Sequence, residues 1–122
     1  MTRKELAASF LQNAAAGRVR AAYEGRVTPA FRHHNPYFAG DAESLMRAME
    51  ENARQNPGKS LRIVHALEDG DLVAIHGHVK MKPSDRGIAL VHVFRFEGDR
   101  IAELWDLGQA VPESSPNEFG MF

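Results

Sequence analysis

The chain has 122 residues, no cysteine, and a formal charge of -1 from 15 basic and 16 acidic residues. That length suits one domain over residues 1–122 with its own core, and the charge balance argues against a nucleic-acid or anionic-membrane partner, since both need a basic patch. Without cysteine there is no disulfide, thiolate nucleophile or thiolate metal site, and with no membrane-length apolar run and no signal-peptide pattern after Met1-Thr2-Arg3-Lys4-Glu5 a soluble cytoplasmic domain is expected.

Thr2-Arg3-Lys4-Glu5 has capping-box spacing, and Leu6, Phe10, Leu11 and Ala14 follow at helical intervals until Gly17. A second short helix, about Arg18 to Tyr23, ends at Gly25. Pro29 breaks the chain before Phe31-Arg32-His33-His34-Asn35-Pro36, a short piece that the second proline keeps extended. Asp41 caps a third helix with Leu45, Met49 and Ala53 as its stripe, and Asn56-Pro57-Gly58 ends it. From Leu61 the period changes to 2, predicting strands at about 60–68, 71–82, 88–97 and 100–110, with an Asp69-Gly70 hairpin turn and a loop-like tail from Val111. Helices followed by a meander are an α+β signature, with a pocket between the helices and a curved sheet.

The last hairpin sets an imidazole and a carboxylate among apolar residues. With a two-residue Gly98-Asp99 turn, His92 faces Trp105 and Asp106 points to the other side of the sheet. With a three-residue loop over Gly98, Asp99 and Arg100, His92 faces Asp106, Phe94 faces Leu104, and Arg95 faces Glu103. The second register gains an opposite-charge pair on the outer face and gathers Phe94, Phe96, Ala102 and Leu104 around His92 and Asp106. It is the register expected here. A desolvated carboxylate beside an imidazole can take a proton from carbon next to a carbonyl. The same spacing also suits a satisfied buried pair with no chemistry.

His33-His34-Asn35-Pro36 after two short helices, the hairpin Glu68-Asp69-Gly70-Asp71-Leu72-Val73-Ala74-Ile75-His76, and His92-Val93-Phe94-Arg95-Phe96 belong to one pattern. Ile101-Ala102-Glu103-Leu104-Trp105-Asp106 and the exit Gln109-Ala110-Val111-Pro112 complete it. Together they resemble the SnoaL-like group of the nuclear-transport-factor-2-like (NTF2-like) superfamily over nearly the whole chain. The resemblance implies a cone-shaped curved antiparallel sheet wrapped on three N-terminal helices. It also implies a cofactor-free, metal-free polyketide cyclase type of chemistry, an aldol condensation that uses an aspartate base. Asp106 matches that aspartate, His92 the histidine on the preceding strand, and Asn35 a substrate-binding asparagine. The superfamily also holds isomerases, epoxide hydrolases, dehydratases and non-catalytic members.

Gly70-x5-His76-x-His78 resembles the opening of a cupin metal motif, but Lys80, Met81, Lys82 and Pro83 stand where its glutamate would be. His65 joins the face of His76 and His78, so a three-histidine site is conceivable; polar lining of the pocket, or a solvated sheet face, is the reading preferred over metal. Of His33 and His34, His34 is placed in the pocket, and Phe31, Phe38, Met46 and Met49 in the core. The expected enzyme is a lyase, cyclase or isomerase acting on a small or medium carbonyl compound. Asp106 is the base, with His92 and His34 beside it and Asn35, His76, His78 and Trp105 holding the ligand. A homodimer through sheet faces would cover Val91, Val93, Ile101 and Trp105. A non-catalytic binding or dimerisation module is the alternative.

Overall fold

Thr2 begins the first helix as its spacing implies. Its hydroxyl accepts from the Glu5 N–H at 3.2 Å, while the Glu5 carboxylate accepts from the Thr2 N–H at 2.9 Å. In the computed structural model, which covers residues 1–122, the elements are α1 (Arg3–Ala15), α2 (Val19–Tyr23), β1 (Val27–His33), α3 (Ala42–Gln55), β2 (Ser60–Asp69), β3 (Leu72–Lys80), β4 (Ile88–Glu97) and β5 (Arg100–Ala110). The sheet has five strands in the order β1-β5-β4-β3-β2. Four form the expected antiparallel meander, curved around the helices.

β1 corrects the four-strand expectation. It lies parallel to β5, with Arg32 opposite Glu103 and His33 opposite Leu104. The Ile101 and His34 N–H groups donate to the carbonyls of Arg26 and Leu104 at 2.7 and 2.9 Å. Pro29 has no N–H to offer a ladder, and it falls on an edge strand where the register shifts between Val27 and Arg32.

Both long hairpins turn through Gly-Asp. Gly70 and Gly98 take φ of +61° and +62° and no other residue type has a positive φ, as a type II′ turn with glycine first requires. The first turn is therefore Gly70-Asp71, one residue later than expected, with Asp69 paired to Leu72. The second is Gly98-Asp99, with Glu97 paired to Arg100, so the expected three-residue loop is absent. His92 nevertheless faces Asp106, because a bulge follows: Phe96 pairs with Ile101, Arg95 with Glu103, and Ala102 is the extra residue. The bulge restores the phase that a two-residue turn would have lost. The two-residue turn itself sets Ile101 opposite Phe96, in the core at 0% exposure, so Ile101 is not part of the outer apolar surface. The Arg3 guanidinium bridges the two turns, donating to the Gly98 and Gly70 carbonyls at 2.9 and 2.8 Å.

The core lies between α1, α2 and the concave sheet face, where Phe10 meets Tyr23 and Phe94 with ring centroids 4.9 and 5.9 Å apart. Phe31, Ile75, Phe96, Ile101 and Leu104 close it on the sheet side. Met46 and Met49 pack against this cluster, but Phe38 does not and is 45% exposed. Farther along the same face the packing opens into a cavity.

Candidate active site

The cavity holds about 280 Å³ between α1, α3 and the concave sheet face, and 12 of its 17 lining residues are hydrophobic. α1 contributes Leu11, Ala14 and Ala15, α3 contributes Leu45, Ala48, Met49 and Asn52, and Phe38 covers one side. Leu61, Val79, Met81, Ile88 and Leu90 form the sheet wall. Two glycines make room for it: a Cβ at Gly77 would lie 3.0 Å from Leu61, and one at Gly108 would lie 2.9 Å from Leu90. Among these walls stand Asn35, Asn52, Lys59, His92 and Asp106.

Asp106 reaches the cavity because β5 alternates from Leu104 after the bulge. Its Oδ2 accepts from Asn35 Nδ2 at 3.1 Å. Asn35 is itself fixed, since its Oδ1 accepts from the Tyr37 N–H at 3.0 Å and its own N–H donates to His33 Nδ1 at 3.1 Å. That last bond leaves the proton of His33 on Nε2, which donates to the Ala39 carbonyl at 2.6 Å. His33, 5% exposed, is therefore the latch of the loop that carries Asn35.

His92 lies directly across the ladder from Asp106. Its ring forms no hydrogen bond with another protein group, and no buried side-chain N or O atom in the chain lacks a partner, so its nitrogens open onto the cavity. Burial pushes its pKa down to about 4, with the Asp106 charge opposing and the Lys59 charge assisting. The ring is neutral at pH 7 and can donate one N–H. Lys59 was not anticipated from the sequence. It leads into β2 in phase with Leu61, and this inward phase was the available signal. Its Nζ donates to Asn52 Oδ1 at 2.6 Å, and desolvation lowers its pKa.

The remaining predicted site residues lie elsewhere. His34, expected in the pocket, points to the other side of the sheet, where its Nε2 donates to Glu103 Oε2 at 2.6 Å. Its ring stacks on Trp105 with centroids 5.0 Å apart and planes at 8°. The phase of β1 explains this: Phe31 and His33 face inward, so His34 faces out. His76 and His78 are also on the outer face, because Val73, Ile75 and Val79 of the same strand face the core. His76 Nδ1 is 3.1 Å from that of His65, whereas His78 Nε2 donates to the Arg86 carbonyl at 2.8 Å. Phe122 stacks on both His76 and His78, and no three His, Asp or Glu side chains are placed to hold a metal ion. The cavity thus brings together Asp106, His92 and Asn35 but not His34, His76, His78 or Trp105.

Behind Asp106, on the outer face, Glu103 is 5% exposed. Arg32 and Arg95 donate to its carboxylate at 2.9 and 3.2 Å. Arg32, His34 and Arg95 hold its pKa down to about 2 against the opposing effect of burial. The two depressed groups act in separate pH windows. The unfolded His92 imidazole takes up a proton near pH 6.5 and the folded one only near 4, so its contribution is complete above 6.5 and falls as pH drops to 4. Glu103 contributes fully above about 4.5, and its contribution is lost as pH falls towards 2. Urea midpoints measured from pH 7.5 to 3 are expected to fall through the upper window. His92→Gln should flatten that window alone; an unchanged slope in the variant would contradict the assignment.

The profile of the SnoaL-like domain matches residues 7–104. No curated protein matches the sequence. Among solved structures, an NTF2-like protein of unknown function from Cytophaga hutchinsonii ATCC 33406 superposes with a TM-score of 0.72 at 19% identity, covering 89% of this chain and 91% of that one. A candidate isomerase of the SnoaL-like family from Agrobacterium tumefaciens str. C58 gives 0.72 at 14% identity, covering 90% and 100%. A candidate SnoaL-like polyketide cyclase from Jannaschia sp. CCS1 gives 0.71 at 14% identity, covering 87% and 84%. These likenesses establish the NTF2-like fold. With the profile match over most of its length, the chain belongs to the SnoaL-like domain family.

Proposed function

We propose that this protein is an acid–base enzyme of the cyclase or isomerase kind, acting on a small or medium carbonyl compound. The observation that carries this reading is the placement of Asp106. It stands in a largely apolar cavity with one oxygen bound by Asn35 and a neutral imidazole with unused nitrogens facing it across the ladder. Oδ1 of Asp106 takes the proton from the carbon next to the carbonyl. The C–H electron pair moves through the new C=C bond onto the carbonyl oxygen, and the His92 N–H donates to that oxygen. The enolate then attacks a second carbonyl (aldol closure) or is reprotonated at another carbon (isomerisation). The apolar walls keep water from quenching it. The first test is a panel of β-diketones, β-keto esters and aryl ketones incubated with the protein in D₂O. Protein-dependent loss of α-proton signal by NMR supports the reading, and its absence across the panel counts against it.

A homodimer through the outer sheet face is part of the same proposal. Val91, Val93 and Trp105 are only partly covered there, and Leu67 and Leu107 are each 66% exposed. Sedimentation at micromolar concentration is expected to give twice the chain mass, and Leu107→Lys to shift it to the monomer. A monomeric wild type would remove this part.

A further inference from the structure

The cavity has a second polar end that the chemistry at Asp106 does not use. Lys59 is the one lysine or arginine among the lining residues. It precedes β2, whereas Asp106 lies on β5, so β4 and β3 separate them across the concave face. Leu61, Val79 and Ile88 occupy the wall between. Of the three N–H groups of its ammonium, one goes to Asn52 Oδ1. Lys59 takes part in none of the ion pairs of the chain. Asn52 also lines the cavity, and its own Nδ2 makes only a long contact of 3.9 Å with Met81 Sδ.

A cation on an apolar wall without a counter-charge is costly, and the desolvation already felt by Lys59 expresses that cost. An anionic oxygen placed between Lys59 Nζ and Asn52 Nδ2 would use the idle donors of both and supply the missing charge. At the other end the Asp106 carboxylate repels such a group. The cavity is therefore polarised, with an anion-accepting corner, an apolar middle and a proton-accepting corner.

We propose that Lys59 and Asn52 bind a carboxylate of the substrate, which is accordingly a small keto acid with an apolar body whose enolisable carbon lies at Asp106. This deepens the carbonyl acid–base reading of the same cavity and rests on it only for the reacting end. The carboxylate contact can be measured as binding, without turnover.

The test is calorimetric titration at pH 7 with 4-oxo-4-phenylbutanoate and with its methyl ester, on wild type, Lys59→Met, Lys59→Gln and Asp106→Asn. Thermal midpoints confirm that each variant is folded. Wild type should bind the acid at least tenfold more tightly than the ester. Both Lys59 variants should lose that preference while ester affinity stays within about threefold. Asp106→Asn should keep it, so that failure of the proton-abstraction reading and failure of the carboxylate site give different results. Equal binding of acid and ester by wild type, no binding of either, or a preference that survives both Lys59 variants overturns the proposal. Borohydride treatment with the keto acid that adds a reduced imine to Lys59 also overturns it, since the amine would then be a nucleophile and not an anchor.

Discussion

Asp106→Asn is expected to slow α-proton exchange by about 10²- to 10⁴-fold on any compound the wild type accepts, the range usual for loss of a positioned general base. The substitution preserves shape, and the new amide oxygen can still accept from Asn35 Nδ2, so the loop from His33 to Tyr37 keeps its anchor. Stability should therefore change little while exchange collapses. The measurement is the initial rate of deuterium incorporation by NMR, with circular dichroism and thermal midpoints as controls. Undiminished exchange in a folded variant would remove Asp106 from the role of base, and the proton would have to be taken by another group of the cavity.

Insertion of one alanine between Glu103 and Leu104 is expected to prevent cooperative folding. Arg95 and Glu103 would stay paired, but each later side chain of β5 would change face. Leu104, 1% exposed, would move from Phe94 to a place opposite Val93 on the outer face, and Asp106 would move opposite Val91 and leave the cavity. Loss of one buried leucine costs about 2–5 kcal/mol, comparable with the ~5–15 kcal/mol that hold a domain of this kind together. Urea titration followed by circular dichroism decides the matter. An insertion variant with a wild-type midpoint would mean that the core does not fix the phase of β5. Deletion of Ala102 is the comparison that removes the bulge while keeping Glu103 opposite Arg95 and Asp106 opposite His92, and it should remain folded.

Much of this architecture was legible because its signals are local. The capping box at Thr2, the Asp41 cap and the change of period at Leu61 each act over a few residues. β1 was missed for the opposite reason. It is short and contains Pro29, and its pairing partner lies some seventy positions away, so nothing nearby marks it as a strand. The register of the last hairpin was read correctly from its side chains but assigned to the wrong backbone device. Facing charges at Arg95 and Glu103 require the phase shift without specifying whether a loop or a bulge provides it. The histidines show what alternation decides when it is followed consistently. Phe31 inward implies His33 inward, and Val73, Ile75 and Val79 inward imply His76 and His78 outward. The same alternation points Lys59, in phase with Leu61, into the cavity.

The parallel seam between β1 and β5 also sets an order of events during synthesis. Asn35 leaves the ribosome 71 residues ahead of Asp106, and the backbone partners of β1 belong to the final strand. Until β5 emerges, β1 is an edge with nothing to pair with, and Pro29 makes it a poor template for a neighbouring chain. Closing so long a loop delays the rewarding contacts until most of the chain is present. The cavity is thus the last compartment of the domain to be enclosed. A nascent chain halted before Ile101 would have three paired strands of the five and neither the base nor the support of the loop that orients it.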